Sequence, residues 1–445
     1  MFGRALALFG SLALLGTLPG CSPATLRSGA GAEPPSDPQT AWLRSHAYSI
    51  SLTGDGFADL EFLRPLLDGK RVIQLGENTH GTAEYNLVKS RIVRFLHQEL
   101  DYDVLVFESA LYQCYDADLT AGETSALSTL TGCAFGVWHT HEVLPLFEYL
   151  RTTRTSARPL HLAGIDIQPI GTNKDDRPQF LSSLVAVVDT DYAVQVSALD
   201  STFLDVYARG GRERRAYFRT DEGRRMAEAY DHLAALLADK EAAIRGAPDG
   251  GDPAAIVVAR QTARSMARYI RQQAAPTTKE YVELRDLGMA ENLTVLLDEL
   301  YPDRKVVVWG HNFHLRHANL EIPPDTTMFP DVAARTMGAW IHERYGDELY
   351  TIGLYAYRGE AADNGGELYR IEPAEPGSLE ALFQGLGPGA HFVDLSRAIE
   401  GPGTDWIDTP ITARYDGTIP LSIVPRDQYD AIIVVGEVTP RQMLY

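Results

Sequence analysis

Short runs of apolar and β-branched residues recur along the chain and alternate with stretches of helical periodicity. Between Tyr85 and Leu96, for example, apolar side chains recur at the three- and four-residue spacing of one helix face. A short run without polar interruption is typical of a strand buried in a parallel sheet. We predict seven such strands, at 71–75, 104–108, 160–165, 305–309, 349–357, 391–395 and 431–436. The alternation predicts an α/β fold with a mostly parallel sheet covered by helices on both faces.

One block departs from this alternation. Residues 175–301 show helical periodicity and no convincing strand, with long segments at 223–245, 254–273 and 279–300. We therefore predict an α/β core made of residues 41–174 and 302–445, with the block at 175–301 inserted between its two parts as a helical subdomain.

The first forty residues are predicted to lie outside this core. Residues 1–20 hold one basic residue and then a short apolar run, which is the pattern of a secretory signal peptide. The run ends in Leu18-Pro19-Gly20-Cys21, which resembles a bacterial lipobox with Cys21 as the lipid-modified residue. A cleaved signal without lipid is the alternative. Residues 21–40 predict a flexible tether, so we expect an exported lipoprotein of the cell envelope, bound to the membrane only through Cys21.

The overall composition is that of a globular protein with an excess of acidic residues. The chain has 445 residues, 45% of them hydrophobic, and a formal charge of -20. Binding to nucleic acid or to an anionic membrane surface needs clustered Lys and Arg, so this charge argues against both. It is compatible with a neutral or cationic small-molecule substrate. The pattern does not predict an oligomeric state.

Two cysteines remain once Cys21 is assigned to the lipid. Cys114 and Cys133 lie close together in the sequence, separated by small and polar residues. In an exported protein such a pair favours a disulfide over two buried free thiols. Neither has a His or a basic residue beside it that would activate a thiolate, so we do not expect a cysteine nucleophile.

A carboxylate and an imidazole follow the first predicted strand. The stretch Gly76-Glu77-Asn78-Thr79-His80-Gly81 places Glu77 and His80 at the C-terminal end of that strand, where an open α/β sheet has its ligand crevice. The flanking glycines permit tight turns around the pair. His80 can act as a general base, and both side chains can bind a metal.

Two further predicted strands end in acidic residues. Glu108 closes the strand at 104–108, and Asp166 follows the strand at 160–165. Near an imidazole, Glu108 would hold the ring in one tautomer and raise its basicity; alternatively, it caps the next helix. Asp166 would either contact the substrate or order its loop.

Two histidines follow the strand at 305–309. His311 and His314 are three residues apart and can face one side of a turn, as acid-base groups or as metal ligands. His317 continues the spacing, but we expect it at the surface because the turn ends there. The chain has no Gly-x-Ser-x-Gly elbow and no glycine-rich phosphate loop, which argues against a serine hydrolase and a nucleotide enzyme.

Together these motifs resemble the erythromycin esterase family. The resemblance rests on an ordered set that extends over most of the chain: Gly76-Glu77-x-x-His80-Gly81, Glu108, Trp138-His139-Thr140-x-Glu142, Gly164-x-Asp166, Arg285-Asp286-x-x-Met289-Ala290-x-Asn292, Gly310-His311-Asn312-x-His314 and Thr336-Met337-Gly338. It implies a three-layer α/β/α core in which the helical insertion forms one wall of a deep cleft.

The resemblance also implies a mechanism. A histidine of the first motif activates water for attack on an ester or macrolactone carbonyl, without a metal or another cofactor. Carried over, His80 is the base and Glu77 and Glu108 orient it or position the water, while His311 and His314 stabilise the oxyanion or protonate the leaving alkoxide. The implied substrate contacts are Lys89, Trp138, Asp166 and Arg285. Lys89 replaces an arginine that is frequent in the family's esterases, so its contact geometry would differ.

Two alternatives to this ester hydrolase remain open at the level of sequence. The same set of two carboxylates and three histidines could hold a divalent metal at Glu77, His80, His311 and His314, as in a metal-dependent hydrolase. The scaffold could also serve as a non-catalytic binding lipoprotein of the cell envelope. An exported location differs from that of cytoplasmic resistance esterases, so the actual ester or lactone substrate is left open.

Overall fold

The computed structural model describes residues 37–171, 174–247, 252–323, 333–397 and 401–445. The predicted signal peptide, Cys21 and most of the predicted tether lie outside them. The tether prediction extends too far, because helix α1 already begins at Pro38. Asp37 caps this helix by accepting hydrogen bonds from the backbone N–H groups of Gln39 and Thr40. None of the described helices is long and apolar enough to cross a membrane.

The described residues contain twelve strands. Their bounds are β1 Tyr48–Ile50, β2 Val72–Leu75, β3 Tyr102–Ala110, β4 His161–Asp166, β5 Lys305–Trp309, β6 Leu349–Ala356, β7 Gly359–Ala362, β8 Leu368–Ile371, β9 Ala390–Asp394, β10 Ile411–Tyr415, β11 Ile419–Ile423 and β12 Ala431–Val435. Eight of them form one sheet in the order β1-β9-β12-β6-β2-β5-β3-β4. The pairs from β12 to β4 are parallel, and β9 runs antiparallel to both of its neighbours.

All seven predicted strands are present, and β5 has the predicted bounds. The structure adds the edge strand β1 and two hairpins, β7–β8 and β10–β11. The second hairpin turns at Asp416 and Gly417, both with positive φ, which is the geometry of a tight hairpin turn. The Asp-Gly pair is a sequence signal for such a turn, but the flanking strands are too short and too polar to stand out as buried strands.

Helices cover both faces of the sheet. Their bounds are α1 Pro38–His46, α2 Leu63–Leu66, α3 Ala83–Leu100, α4 Leu111–Thr120, α5 Ala126–Cys133, α6 Leu144–Thr153, α7 Arg177–Ala186, α8 Thr190–Tyr207, α9 Gly211–Phe218, α10 Asp221–Asp239, α11 Glu241–Arg245, α12 Pro253–Ala274, α13 Thr278–Val295, α14 Asn312–Leu315, α15 Met337–Tyr345, α16 Leu379–Leu382, α17 Asp405–Asp408 and α18 Pro425–Gln428.

The period of two along the strands divides the core into two layers. Leu105 and Phe107 of β3 pack in the same hydrophobic cluster as α3 and α6. Val104 and Val106 of the same strand face the other side, in the cluster that contains α13 and α15. The three-layer α/β/α fold with a mostly parallel sheet is therefore confirmed.

The helices α7 to α13 lie between β4 and β5, in the block where a helical insertion was predicted. They have a hydrophobic core of their own. A fully buried ion pair between Arg177 and Asp200, joined by the hydroxyl of Tyr230, lies within this block. Residues 37–445 nevertheless form one compact unit, so the block is a long crossover connection of the sheet.

The predicted disulfide is present. It joins Cys114 of α4 to Cys133, the last residue of α5. The segment that follows Cys133 is also anchored to β3, because the Phe135 N–H donates to the Ser109 hydroxyl at 3.0 Å. The bridge therefore holds the segment around Phe135 against the end of a central strand.

We expect the double substitution Cys114→Ser/Cys133→Ser to lower the free energy of unfolding by about 3 kcal/mol, the loop-closure value for a bridge of this separation. Thermal and denaturant unfolding of the oxidised protein would measure the loss. The single variant Cys114→Ser is the control, and it should lose as much as the double variant. Equal stability of oxidised wild type and double variant would show that the bridge does not constrain the unfolded chain.

Candidate active site

The candidate site lies where β2, β5 and β3 end. These strands are neighbours in the sheet, so the loops after β2 and β5 meet at its C-terminal edge. A Cβ atom on Gly76 would lie 2.0 Å from the Asn312 side-chain oxygen, so only glycine permits this contact. The Asn312 N–H donates to the Glu77 carbonyl at 2.7 Å, and its side chain bonds both backbone groups of Leu354. Asn312 thus fixes the two loops to each other and to β6.

Glu77 is fully buried and has three partners. Its Oε1 accepts from His80 Nδ1 at 2.7 Å and from Trp138 Nε1 at 3.0 Å. Its Oε2 accepts from Lys89 Nζ, also at 2.7 Å. Lys89 is itself buried and lies over the Trp309 ring at 4.3 Å. Glu77 therefore joins the loop after β2 to helix α3 and to the segment that carries Trp138.

The charges of this cluster depend on each other. Burial on its own would raise the pKa of Glu77, but the charge of Lys89 and the bond to His80 outweigh it and lower that pKa. Burial also disfavours the charged form of Lys89 and lowers its pKa to about 8, although the negative charge of Glu77 opposes this change. Glu77 is thus ionised at neutral pH and able to hold a proton on His80 Nδ1.

His80 and His311 are held in opposite tautomers. Because Glu77 accepts from His80 Nδ1, the neutral ring of His80 has an unprotonated Nε2. In His311, Nδ1 accepts from the Phe313 N–H at 3.1 Å, so the proton of the neutral ring is on Nε2. Burial lowers the pKa of His311, which favours its neutral form. The two ring centroids are 5.0 Å apart, so one ring offers an acceptor and the other a donor.

Glu108 belongs to a second cluster. Its Oε2 accepts from the His311 backbone N–H at 2.8 Å, and its Oε1 accepts from Arg285 Nη2 at the same distance. Arg285 also bonds both carboxylate oxygens of Asp166. Burial opposes ionisation, but His314 and Arg285 hold the pKa of Glu108 well below its ordinary value. The expected bond from Glu108 to His80 is not found among the described residues.

His314 lies between cationic and anionic neighbours. Its Nδ1 is 2.8 Å from Asp286 Oδ1, while its Nε2 is 3.0 Å from Arg285 Nη1 and 3.3 Å from Glu108 Oε1. The guanidinium favours an unprotonated Nε2, whereas Glu108 favours a proton on Nε2 and Asp286 favours one on Nδ1. Burial lowers the pKa of His314, but Asp286 and Glu108 outweigh it, and the net effect is a raised pKa. His314 can therefore hold a proton on the cationic side of the site.

A cavity of about 1100 Å³ opens over these side chains. The two hairpins that sequence analysis missed supply much of its wall, through Tyr369 and the turn after β7 and through Tyr415 to Ile419. Phe135, Arg441 and Tyr445 line it as well. A cleft wall was expected from residues 175–301; among the described residues of that block, Arg285 is the one that lines this cavity.

The structure separates the predicted site residues into two groups. His80, Glu108, Arg285, His311 and His314 line the cavity. Glu77, Lys89, Trp138 and Asp166 are buried behind it, with at most 1% of their surface exposed. Lys89, Trp138 and Asp166 therefore do not make the expected substrate contact. Lys89 and Trp138 bond to Glu77, and Asp166 bonds to Arg285.

Two hairpin residues complete the site, and sequence analysis did not single them out. Tyr369 donates to the Thr79 hydroxyl at 2.9 Å and to the Asp416 carbonyl at 3.1 Å. Asp416 Oδ1 lies 3.6 Å from His311 Nε2. Both contacts join the hairpins to the motif loops across more than 100 positions of sequence, so no local pattern could have indicated them.

Most donor atoms of the candidate metal set are already engaged in hydrogen bonds, and the unprotonated Nε2 of His80 is an exception. Both carboxylate oxygens of Glu77 and of Glu108 accept hydrogen bonds, and His314 has polar partners at both ring nitrogens. Within the described part of the chain, no three His, Cys, Asp or Glu side chains are grouped so that they could hold a metal ion. The predicted metal alternative at Glu77, His80, His311 and His314 would therefore require these bonds to break.

Comparisons with known proteins agree with the motifs. The sequence model of the family described as Erythromycin esterase matches residues 97–438, a range that begins after the motif of Glu77 and His80. YbfO of Bacillus subtilis (strain 168), which is named as a hydrolase, is 31% identical over 415 residues, which are 90% of this chain and 91% of that protein.

Solved structures show the same fold. A protein from Bacillus cereus superposes with a TM-score of 0.76 at 20% identity, over 92% of this chain and 100% of that one. A mutant of the erythromycin esterase EreC in its open conformation gives 0.66 at 18% identity, over 89% and 99%. Sequence and fold together show that this chain belongs to the erythromycin esterase family of hydrolases.

Proposed function

We propose that this protein hydrolyses a carboxylic ester or macrolactone with water that His80 activates, and that no metal takes part. The observation that carries the proposal is the pair of opposite tautomers in the cavity, an acceptor at His80 Nε2 and a donor at His311 Nε2. A water molecule between them is oriented by the donor and loses a proton to the acceptor. Glu77 behind His80 stabilises the imidazolium that results.

The rest of the reaction uses the second cluster. The water oxygen forms a bond to the carbonyl carbon, and the carbonyl oxygen becomes an oxyanion. The N–H groups of Arg285 and of a protonated His314 donate to that oxyanion and stabilise it. When the bond from the carbonyl carbon to the alkoxide oxygen breaks, the alkoxide takes the proton from His80 or from His314. Acid and alcohol leave. If His80 gave the proton, it is again neutral; if His314 gave it, the imidazolium of His80 releases its proton to solvent and His314 takes one up.

The proposal includes a location. The pattern at Leu18-Pro19-Gly20-Cys21 supports export and a lipid on Cys21, although these residues lie outside the described part of the chain. The disulfide between Cys114 and Cys133 fits an oxidising compartment outside the cytoplasm. Mass spectrometry of the N-terminal peptide from the purified protein tests this part. A diacylated Cys21 supports it, and an unmodified N-terminus elsewhere contradicts it.

We expect His80→Ala to lower kcat by about 10²- to 10⁴-fold, the usual contribution of a general base. A panel of aryl esters, lactones and macrolides identifies the substrate on which the variant is measured. His141→Ala is the matched control, because His141 is exposed and does not line the cavity. Wild-type turnover by His80→Ala would overturn the mechanism, and absence of turnover with bound ligand would favour a binding protein.

A chelator should leave the activity unchanged. The physical reason is that the carboxylates and His314 are committed to hydrogen bonds with protein groups rather than available to a metal. Turnover is measured before and after dialysis against EDTA, together with elemental analysis of the untreated protein. Loss of activity that returns with one divalent metal, with that metal present at one equivalent, would establish the metal-dependent alternative.

Lys89→Gln should shift the acid limb of the kcat/KM profile to higher pH. Lys89 is the strongest influence that lowers the pKa of Glu77 against burial, so without it a higher pH is needed to ionise Glu77. We expect a shift of about one pH unit or more, with KM little changed because Lys89 does not line the cavity. Lys279→Gln, at an exposed lysine, should leave the profile unchanged. A pH profile of Lys89→Gln identical to that of wild type would show that Lys89 does not influence the ionisation on which activity depends.

A further inference from the structure

A strongly basic segment lies on the surface of this acidic protein. Residues 209–225 contain seven arginines and three acidic residues, which leaves a local charge of +4 in a chain of net charge -20. The segment comprises helix α9, the turns on either side of it and the first residues of α10. Six of the arginines are exposed, and Arg214 is half-buried. None of them lines the cavity described above.

Most of these charges have no acidic partner. Arg224 and Arg225 pair with acids one turn earlier on their own helix. Within the described residues, no carboxylate lies in ion-pair distance of the other five, which are Arg209, Arg212, Arg214, Arg215 and Arg219. The chain has 60 Asp and Glu residues against 40 Lys and Arg, so this lack of partners is not explained by a shortage of acids.

The unpaired arginines form an ordered surface. Arg212, Arg215 and Arg219 follow each other at three- and four-residue spacing, so they lie along one side of α9 and its C-terminus. Like charges at this spacing destabilise a helix slightly when nothing neutralises them. Three neighbouring guanidinium groups stack on tyrosine rings, Arg209 on Tyr217, Arg214 on Tyr207 and Arg215 on Tyr281, at 4.9 to 5.4 Å.

Such stacking suits the binding of phosphate groups. A guanidinium held against a ring can still donate from its N–H edges and has already lost much of its rotational freedom. Arg214 uses one of these donors on the Tyr207 carbonyl at 3.0 Å. Tyrosine beside arginine is also the combination that favours the interface between water and lipid. The surface therefore combines positive charge, preordered donors and amphipathic rings.

We propose that this arginine surface, defined by Arg209, Arg212, Arg214, Arg215 and Arg219, binds the anionic headgroups of the membrane to which the protein is anchored. It is a second membrane contact in addition to the proposed lipid on Cys21. The two could act together, because 15 residues separate Cys21 from Asp37. Two weak attachments to the same bilayer reinforce each other.

The acidic remainder of the protein does not prevent this binding. At physiological ionic strength, exposed charges are screened beyond a distance of about 8 Å. A headgroup next to α9 therefore responds to the local cluster of arginines more than to the net charge of the chain. The same screening implies that binding weakens when salt is added.

The test uses chain 22–445, which contains the whole compact unit 37–445 but lacks the lipid. Its sedimentation with vesicles of phosphatidylglycerol and phosphatidylcholine is compared with that on phosphatidylcholine alone, at about 0.15 M salt. We expect binding only to the anionic vesicles, and a loss of about a hundredfold in the partition coefficient for Arg212→Gln/Arg215→Gln/Arg219→Gln.

The matched control is Arg358→Gln/Arg370→Gln/Arg397→Gln, which removes the same charge from three other exposed arginines. It should bind as wild type does, and unfolding curves verify that both variants are folded. Equal binding by the two triple variants, or equal binding of wild type to both kinds of vesicle, would overturn the proposal. So would displacement from the vesicles by millimolar inorganic phosphate, because it would assign the surface to a free anion.

Discussion

A buried, ionised carboxylate is the constraint on which this site depends. Glu77 has no contact with water, and an isolated charge in that position would cost several kcal/mol. It is tolerated because Lys89, His80 and Trp138 supply donors from three different parts of the fold. The loop after β2, helix α3 and the segment after α5 must therefore assemble together. The tautomer of His80 follows from this assembly and does not depend on the substrate.

In the second cluster, too, buried carboxylates are stabilised by a donor from a distant part of the chain. Arg285 comes from the helical block and satisfies Glu108 and Asp166, which belong to the ends of β3 and β4. The contact joins the crossover helices to the sheet at the position where chemistry is proposed. The two clusters differ in what they present to the cavity, a proton acceptor at His80 in one and N–H donors at Arg285 and His314 in the other. Hydrolysis of an ester requires both.

Features set by neighbouring residues, such as buried strands, could be predicted from the sequence. Contacts between segments far apart in the chain could not. Buried strands are recognisable from runs of apolar residues, so β5 was located to the residue and Glu108 was placed near the end of β3, which runs two residues further to Ala110. The short hairpins have no such run, and their contribution to the cavity was missed. Lys89 and Trp138 were expected to face substrate because a motif does not show on which side of Glu77 they lie. Only the packing of α3 and of the segment after α5 decides that.

The net charge of the chain is also a limited guide to function, because it does not show how the charges are distributed over the surface. A total of -20 argued against any anionic surface, yet it averages over a molecule many times wider than the screening length of about 8 Å. Near α9, five arginines have no carboxylate in ion-pair distance among the described residues, although the chain as a whole is acidic. The cavity and the arginine surface lie on different elements and share no residue. The proposed catalysis and the proposed attachment can therefore vary independently on this scaffold, since each depends on charges that the other does not use.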